Sequence, residues 1–236
     1  MSTTLEPRFI IETAERLRKR IAERFPGSGL LGLADSVVAL AREADARGTA
    51  IARPHVPLRV AAWALGAVLL LGLGAAFLQV RVSGSIGNIA ELLQGADAAA
   101  NLTLLLGAAI LSVAKLEENL RRKKALALVH ELKELAHVVD MHQLTKDPEA
   151  VAGGASRTES SPKRTLTPFE LGRYLDYSTE MLSVLGKIAA IYARRIQDPV
   201  VLEAVDDAED LTTALAGKIW QKIAILNDRA RTTRAG

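Results

Sequence analysis

The chain has 236 residues and a formal net charge of +3, and its residues are 49% hydrophobic, 24% charged and only 4% aromatic. So small a charge balance gives no reason to expect nucleic acid, because the basic residues gather beside apolar segments and are not interleaved with stacking aromatics. There is no cysteine, which excludes disulfide frameworks, thiolate zinc sites, iron–sulfur clusters and cysteine nucleophiles.

Ala, Leu, Glu, Arg and Lys dominate most segments and β-branched residues form no alternating runs, so the expected fold class is all-α. The opening MSTTLEPRF has no apolar signal core, and a cleaved secretory peptide is not expected. Pro7 suits the first turn of a helix whose apolar side is Phe9, Ile10, Leu17, Ile21 and Phe25, ended by the PGSG of Pro26 to Gly29. A second amphipathic helix is expected from about Leu30 to Arg47, with Gly48 as its cap.

Between Arg59 and Arg81 the chain reads VAAWALGAVLLLGLGAAFLQV without a charge. At about 1.5 Å per residue this spans roughly 30 Å, the thickness of bilayer hydrocarbon, and Trp63 sits one turn inside it at headgroup depth. The run AAANLTLLLGAAILSVA between Asp97 and Lys115 is shorter and is expected to recruit residues upstream of Asp97. Gly84, Ser85, Gly87 and Asn88 favour a tight turn between the two. The expected architecture is therefore a two-span transmembrane hairpin. The competing expectation, a buried hairpin in a soluble bundle, needs protein on every side of an uncharged helix.

Orientation follows from the basic residues. Arg42, Arg47, Arg53 and Arg59 precede the first span, and Lys115 and Arg121-Arg122-Lys123-Lys124 follow the second. Only Arg81, set against Glu91 and Asp97, lies between them. Both termini are therefore expected in the cytosol, with the hairpin in the cell (inner) membrane. After the second span, LEENLRRKKALALVHELKELAHVVDMHQL has neither Pro nor Gly and predicts a continuous helix with an apolar stripe of Leu128, Leu132, Leu135 and Val139. KDPEAVAGGASRTESSPKRTL reads as a flexible linker. Thr167-Pro168-Phe169-Glu170 then forms a capping box opening a helix to about Ile196. Asp198-Pro199 opens the last helix, to about Asn227, with Leu211, Leu215, Ile219, Ile223 and Leu226 on one side.

The expected organisation is N-terminal cytosolic helices over 1–57, the hairpin over 58–114, a cytosolic extension of coiled-coil type over 115–145, a linker over 146–166 and a C-terminal helical hairpin over 167–236. Two helices alone make a thin core, so the C-terminal pair must pack on the long helix, the N-terminal helices or another subunit.

Four groups of residues are candidates for chemistry. His130, Glu134, His137 and Met141 share one helix face, and two imidazoles with a carboxylate at that spacing supply three metal ligands. The stripe lies opposite Leu132, Leu135 and Val139, however, and reads as the wet side of an amphipathic helix; no cofactor is expected. Glu91, Gln94, Asp97 and Asn101 cluster on one side of the turns entering the second span, where carboxylates lining a path would favour cations. Arg121, Arg122, Lys123 and Lys124 suit anionic lipid headgroups, at roughly 1 kcal/mol per charge, or simple topology marking. The acidic run Glu203, Asp206, Asp207, Glu209 and Asp210 could meet such cations or a divalent metal, yet acids near a helix start are also expected from the macrodipole. No dinucleotide fingerprint, phosphate loop, G-x-S-x-G elbow or H-E-x-x-H occurs, so the chain is not expected to be an enzyme.

In the order of its elements the chain resembles bacterial two-span proteins of the SLATT class, proposed membrane effectors with a helical hairpin in the bilayer followed by cytosolic helices. The resemblance implies a layout and carries no activity or site residues. The leading expectation is a non-enzymatic membrane module that is embedded in the lipid bilayer, forms a homo-oligomer through its spans and offers cytosolic helices to a protein partner. The alternatives are an oligomeric cation-conducting pore and a metal-binding or metal-sensing membrane protein.

Overall fold

The computed structural model describes residues 6–82, 89–148, 159 and 166–235, and among them every regular element is a helix. In chain order these are α1 (Pro7–Arg24), α2 (Gly29–Ala52), α3 (Val56–Val82), α4 (Ile89–Leu144), α5 (Pro168–Arg195) and α6 (Pro199–Ala235). The turn expected at 83–88 and the linker segments 149–158 and 160–165 lie outside the described residues. The helices divide into two compact units, one holding residues up to Ala52 and from Lys124 onward, the other Arg53–Lys123.

Local chemistry accounts for the helix ends of the larger unit. Pro7 starts α1, where a missing N–H costs nothing. The chain then reverses at Gly27, whose φ of 68° is a left-handed value that favours glycine. Ser28 caps the next helix, its Oγ accepting from Leu31 N at 3.3 Å while donating to Phe25 O at 2.7 Å. The capping box at α5 is complete: Glu170 N donates to Thr167 Oγ1 at 3.2 Å and Thr167 N donates to Glu170 Oε2 at 2.8 Å. Asp198 caps α6 without that reciprocal bond, its Oδ1 accepting from Val200 N and Val201 N at 3.0 and 3.2 Å.

Two boundaries differ from expectation. Gly48 does not cap α2, which runs on to Ala52. A Cβ at Gly48 would stand in ordinary van der Waals contact with Arg195 Cγ at 3.4 Å and Tyr192 Cδ1 at 3.6 Å, so the position lies inside the helix beside α5. The helix stops where Pro54 disfavours helical backbone at Arg53. The last helix continues past Asn227 to Ala235, because no Pro or Gly interrupts it before the final residue.

In the larger unit α5 is central, with 13 of its 28 residues buried, among them Leu175, Met181, Leu185, Ile188 and Tyr192. An arc this wide needs neighbours on several sides. They come from α1 (Leu17, Ile21), α2 (Val37, Ala41), α6 (Leu215, Ile219) and the last turns of α4 (Leu132, Ala136, Val139), which share one continuous core. The C-terminal hairpin is thus covered within the chain. Polar links tie the same helices: Lys222 Nζ donates to Gln143 Oε1 at 2.6 Å, Arg47 Nη1 to Glu131 Oε2 at 2.7 Å, and Arg195 Nη2 to Asp45 Oδ1 at 2.7 Å. Desolvation lowers the Lys222 ammonium's pKa and pushes the buried Tyr192 hydroxyl up to about 12.

The smaller unit is built differently. Half-buried positions form one stripe on α3 (Leu58, Ala62, Gly66, Leu69) and one on α4 (Leu102, Leu106, Ala109, Val113). The helices meet there, a Cβ at Gly66 standing 3.8 Å from Leu106 Cδ1. Both helices are long and apolar enough to cross a membrane, and nothing in the apolar window of either is buried.

Candidate functional site

Outside its narrow seam the smaller unit presents bare hydrocarbon. Trp63 is 80% exposed, Leu71 73% and Leu104 73%, with Val60, Val68, Leu70, Leu105 and Leu111 also exposed. The larger unit encloses residues of the same kind, so the exposure comes from the absence of any described partner for α3 and for α4 over this stretch.

At one end of these apolar runs stands a buried carboxylate. Glu117, three residues past Ala114 on α4, is 7% exposed. It accepts from Arg59 Nε at 3.0 Å and Nη2 at 3.3 Å and from the His55 backbone N–H at 3.2 Å, and it forms an ion pair with Arg121, whose Nη2 lies 3.0 Å away. Hydrogen bonds from Arg59, with a further one from His55 and the fields of both guanidiniums, hold its carboxyl below the usual carboxylate range. Arg59 immediately precedes the apolar stretch of α3, so the pair fastens α3 to α4 where both leave their uncharged segments. The geometry makes a clamp: a carboxylate held by hydrogen bonds from Arg59 and His55 and by the charge of Arg121. Sequence reasoning missed it by treating 115–124 as a basic run. The available signal was a pair of acids, Glu117 and Glu118, just beyond the second apolar segment, with Arg59 just before the first and so at the same end of a hairpin.

The residues singled out from sequence are distributed as follows. Gln94, Asp97 and Asn101 are exposed, on the side of α4 turned away from the stripe that meets α3; the Glu91 side chain lies outside the described residues. Of the basic run, Arg121 turns to Glu117 and Arg122 Nη2 lies 3.5 Å from Glu118 Oε1, each one turn earlier on the same helix, while Lys123 and Lys124 are exposed. His130, Glu134, His137 and Met141 are all exposed, and His130 Nε2 lies 3.2 Å from Glu134 Oε1. Among the described residues no group of three or more His, Asp or Glu side chains is gathered in a way that could hold a metal ion. In the acidic run, Asp207 Oδ2 meets Lys133 Nζ at 3.2 Å, and Glu203, Asp206 and Asp210 are exposed.

One open cavity of about 400 Å³ lies where α2 begins and α4 ends, lined by Ser28, Gly29, His142, Lys146 and Tyr174. Several of its polar groups are engaged within the chain: Tyr174 donates to His142 O at 3.4 Å, His142 Nδ1 lies 2.9 Å from Val138 O, and the Lys146 ammonium sits 5.2 Å from the centre of the Tyr174 ring.

No known protein family matches this chain, and neither a curated protein nor a solved structure does.

Proposed function

We propose that the protein is a non-enzymatic integral membrane module: α3 and the first half of α4 cross the cell membrane as a hairpin, copies associate through these spans, and the remaining helices form a cytosolic bundle offered to a protein partner. One observation carries this reading. The larger unit closes its own core, whereas the smaller one leaves most of its large apolar side chains uncovered on two helices of membrane-spanning length. Soluble monomers rarely expose a contiguous apolar patch above a few hundred Å². Lipid accepts such a surface without cost, and helices satisfy every backbone group internally. The placement of Arg53, Arg59, Lys115 and the Arg121–Lys124 run supports an orientation with both termini in the cytosol.

Single cysteines at Ser36, Ser85 and Ser160 test the topology, since the chain has none of its own. An impermeant thiol reagent added outside intact cells is expected to label Ser85→Cys alone. Labelling of Ser36→Cys or Ser160→Cys from outside would reverse the orientation, and recovery of all three in the soluble fraction would end the membrane reading.

A second reading is a cation pathway between several hairpins, which is favoured by the exposed Gln94, Asp97 and Asn101 on one side of α4. The metal-binding alternative draws no comparable support from the positions of His130, Glu134 and His137.

A further inference from the structure

We infer that the face of α4 turned away from α3 is where copies of this chain meet, so that α4 lies inside the assembly and α3 outside against lipid. This rests on the membrane reading above. The face consists of Gln94, Asp97, Asn101, Leu104, Ala108 and Leu111, continuing to Lys115, and every one of these positions is exposed. They recur alternately three and four residues apart, the spacing of a seam between supercoiled helices. With roughly 100° between successive residues, this line stands opposite Leu102, Leu106, Ala109 and Val113, which meet α3. The helix thus carries two seams, one of them filled.

Polarity separates the two helices. The large exposed residues of α3 between Val60 and Leu71 are all apolar save the indole N–H of Trp63, so lipid suits that surface. On α4 the hydroxyls of Thr103 and Ser112 donate to Ala99 O and Ala108 O, each at 2.8 Å, and ask nothing of a neighbour. The Asn101 amide, by contrast, is exposed at a depth where an unmet polar group is costly.

The occupant is a second copy because the amide is self-complementary. Asn and Gln each carry both donors and acceptors. All copies insert in one direction, so parallel α4 helices bring Asn101 to Asn101 and Gln94 to Gln94 at equal depth. A foreign helix would need its own amides at both depths. Asp97 and Lys115 stand roughly 27 Å apart along the helix, which puts each set of like charges near an aqueous boundary. A slip by one heptad would set Asn101 against Ala108 and Asp97 against Leu104, so the polar positions hold the register. Close approach falls to Ala108.

The test is oxidative crosslinking of the full chain in native membranes, with single cysteines at Leu104 or Ala108 on the proposed seam, at Leu106 toward α3, and at Leu70 on an exposed flank of α3. Insertion is checked by resistance to alkaline carbonate. We expect Leu104→Cys and Ala108→Cys to form at least tenfold more disulfide dimer than Leu106→Cys or Leu70→Cys, and Asn101→Leu to reduce the Ala108→Cys product severalfold. Crosslinking through Leu70→Cys alone would overturn the seam while leaving self-association intact. An inserted chain that crosslinks at none of these positions would overturn both the seam and the oligomer. Release by carbonate would instead remove the membrane reading on which the seam depends.

Discussion

Glu117 shows how much one side chain can organise. Its carboxylate accepts from Arg59 and from the His55 backbone N–H and pairs electrostatically with Arg121, and each hydrogen bond to a charged group is worth about 1.5–3 kcal/mol when well sheltered. Arg59 is 55% exposed on its side chain, so solvent discounts the total. Glu117→Ala is expected to cost about 1–2 kcal/mol, read as a lower Tm of the reconstituted protein, with Glu117→Gln intermediate because an amide oxygen still accepts from His55. The pH dependence has a definite sign. The folded-state pKa of Glu117 is depressed, so its contribution is present above the ordinary carboxylate range and disappears as pH falls through the lowered value. The difference in Tm between wild type and Glu117→Ala should therefore be full near neutral pH and vanish in strong acid. A difference that persists in acid would mean that packing, and not charge, is the source of the stabilisation.

Among the helices, α5 depends most on how it begins. Thr167 and Glu170 satisfy each other's backbone N–H, and Pro168 supplies a preset φ at the first helical position. Because 13 residues of this helix are buried, fraying of its first turn would disturb Leu171 and Tyr174 in the core of the larger unit. Thr167→Ala is expected to lower the unfolding free energy by about 1 kcal/mol, measured by denaturant titration followed by far-ultraviolet circular dichroism. Thr167→Ser, which keeps the acceptor, should stay near wild type. Equal loss from both variants would show that the cap does not act through its hydroxyl oxygen. The beginning of α5 was fully legible in sequence because a capping box is a local pattern. Its central position was not, because residues 168–195 read alone look like one half of a thin hairpin, and only α1, α2 and α4 complete the surround.

At the scale of the whole molecule, the proposed seam on α4 and the cation-pathway reading bear on the same residues. If several α4 helices surround an aqueous path, Asp97 is the carboxylate closest to the apolar run, nearer than Glu91, and would dominate the attraction of cations at that end. Reconstituted in planar bilayers under asymmetric salt, the protein is then expected to show a cation-selective reversal potential that Asp97→Asn shifts toward zero by more than Glu91→Gln does. No conductance from correctly inserted oligomer would exclude the pathway and leave a packed, anchoring seam. Conductance unchanged by Asp97→Asn would remove this face of α4 as its lining.

Some of this protein was decided within short stretches of chain. Helix content, the capping of α5 and α6, and the two apolar helices all follow from side-chain periodicity, proline placement and uncharged length, which act over a few turns and can be read without knowing the fold. The side of each helix that finds a partner is a different kind of property. Arg59 and Glu117 are 58 residues apart in sequence, and nothing local announces that they meet. Gly48 looks like a cap until Tyr192 and Arg195 of α5 are seen beside it. Ala62 and Gly66 turn toward α4 while Ala108 and Ser112 turn away from α3, although both pairs share the same spacing in sequence. Small residues four apart mark a surface fit for close approach; which approach is made depends on neighbours that only the tertiary structure supplies.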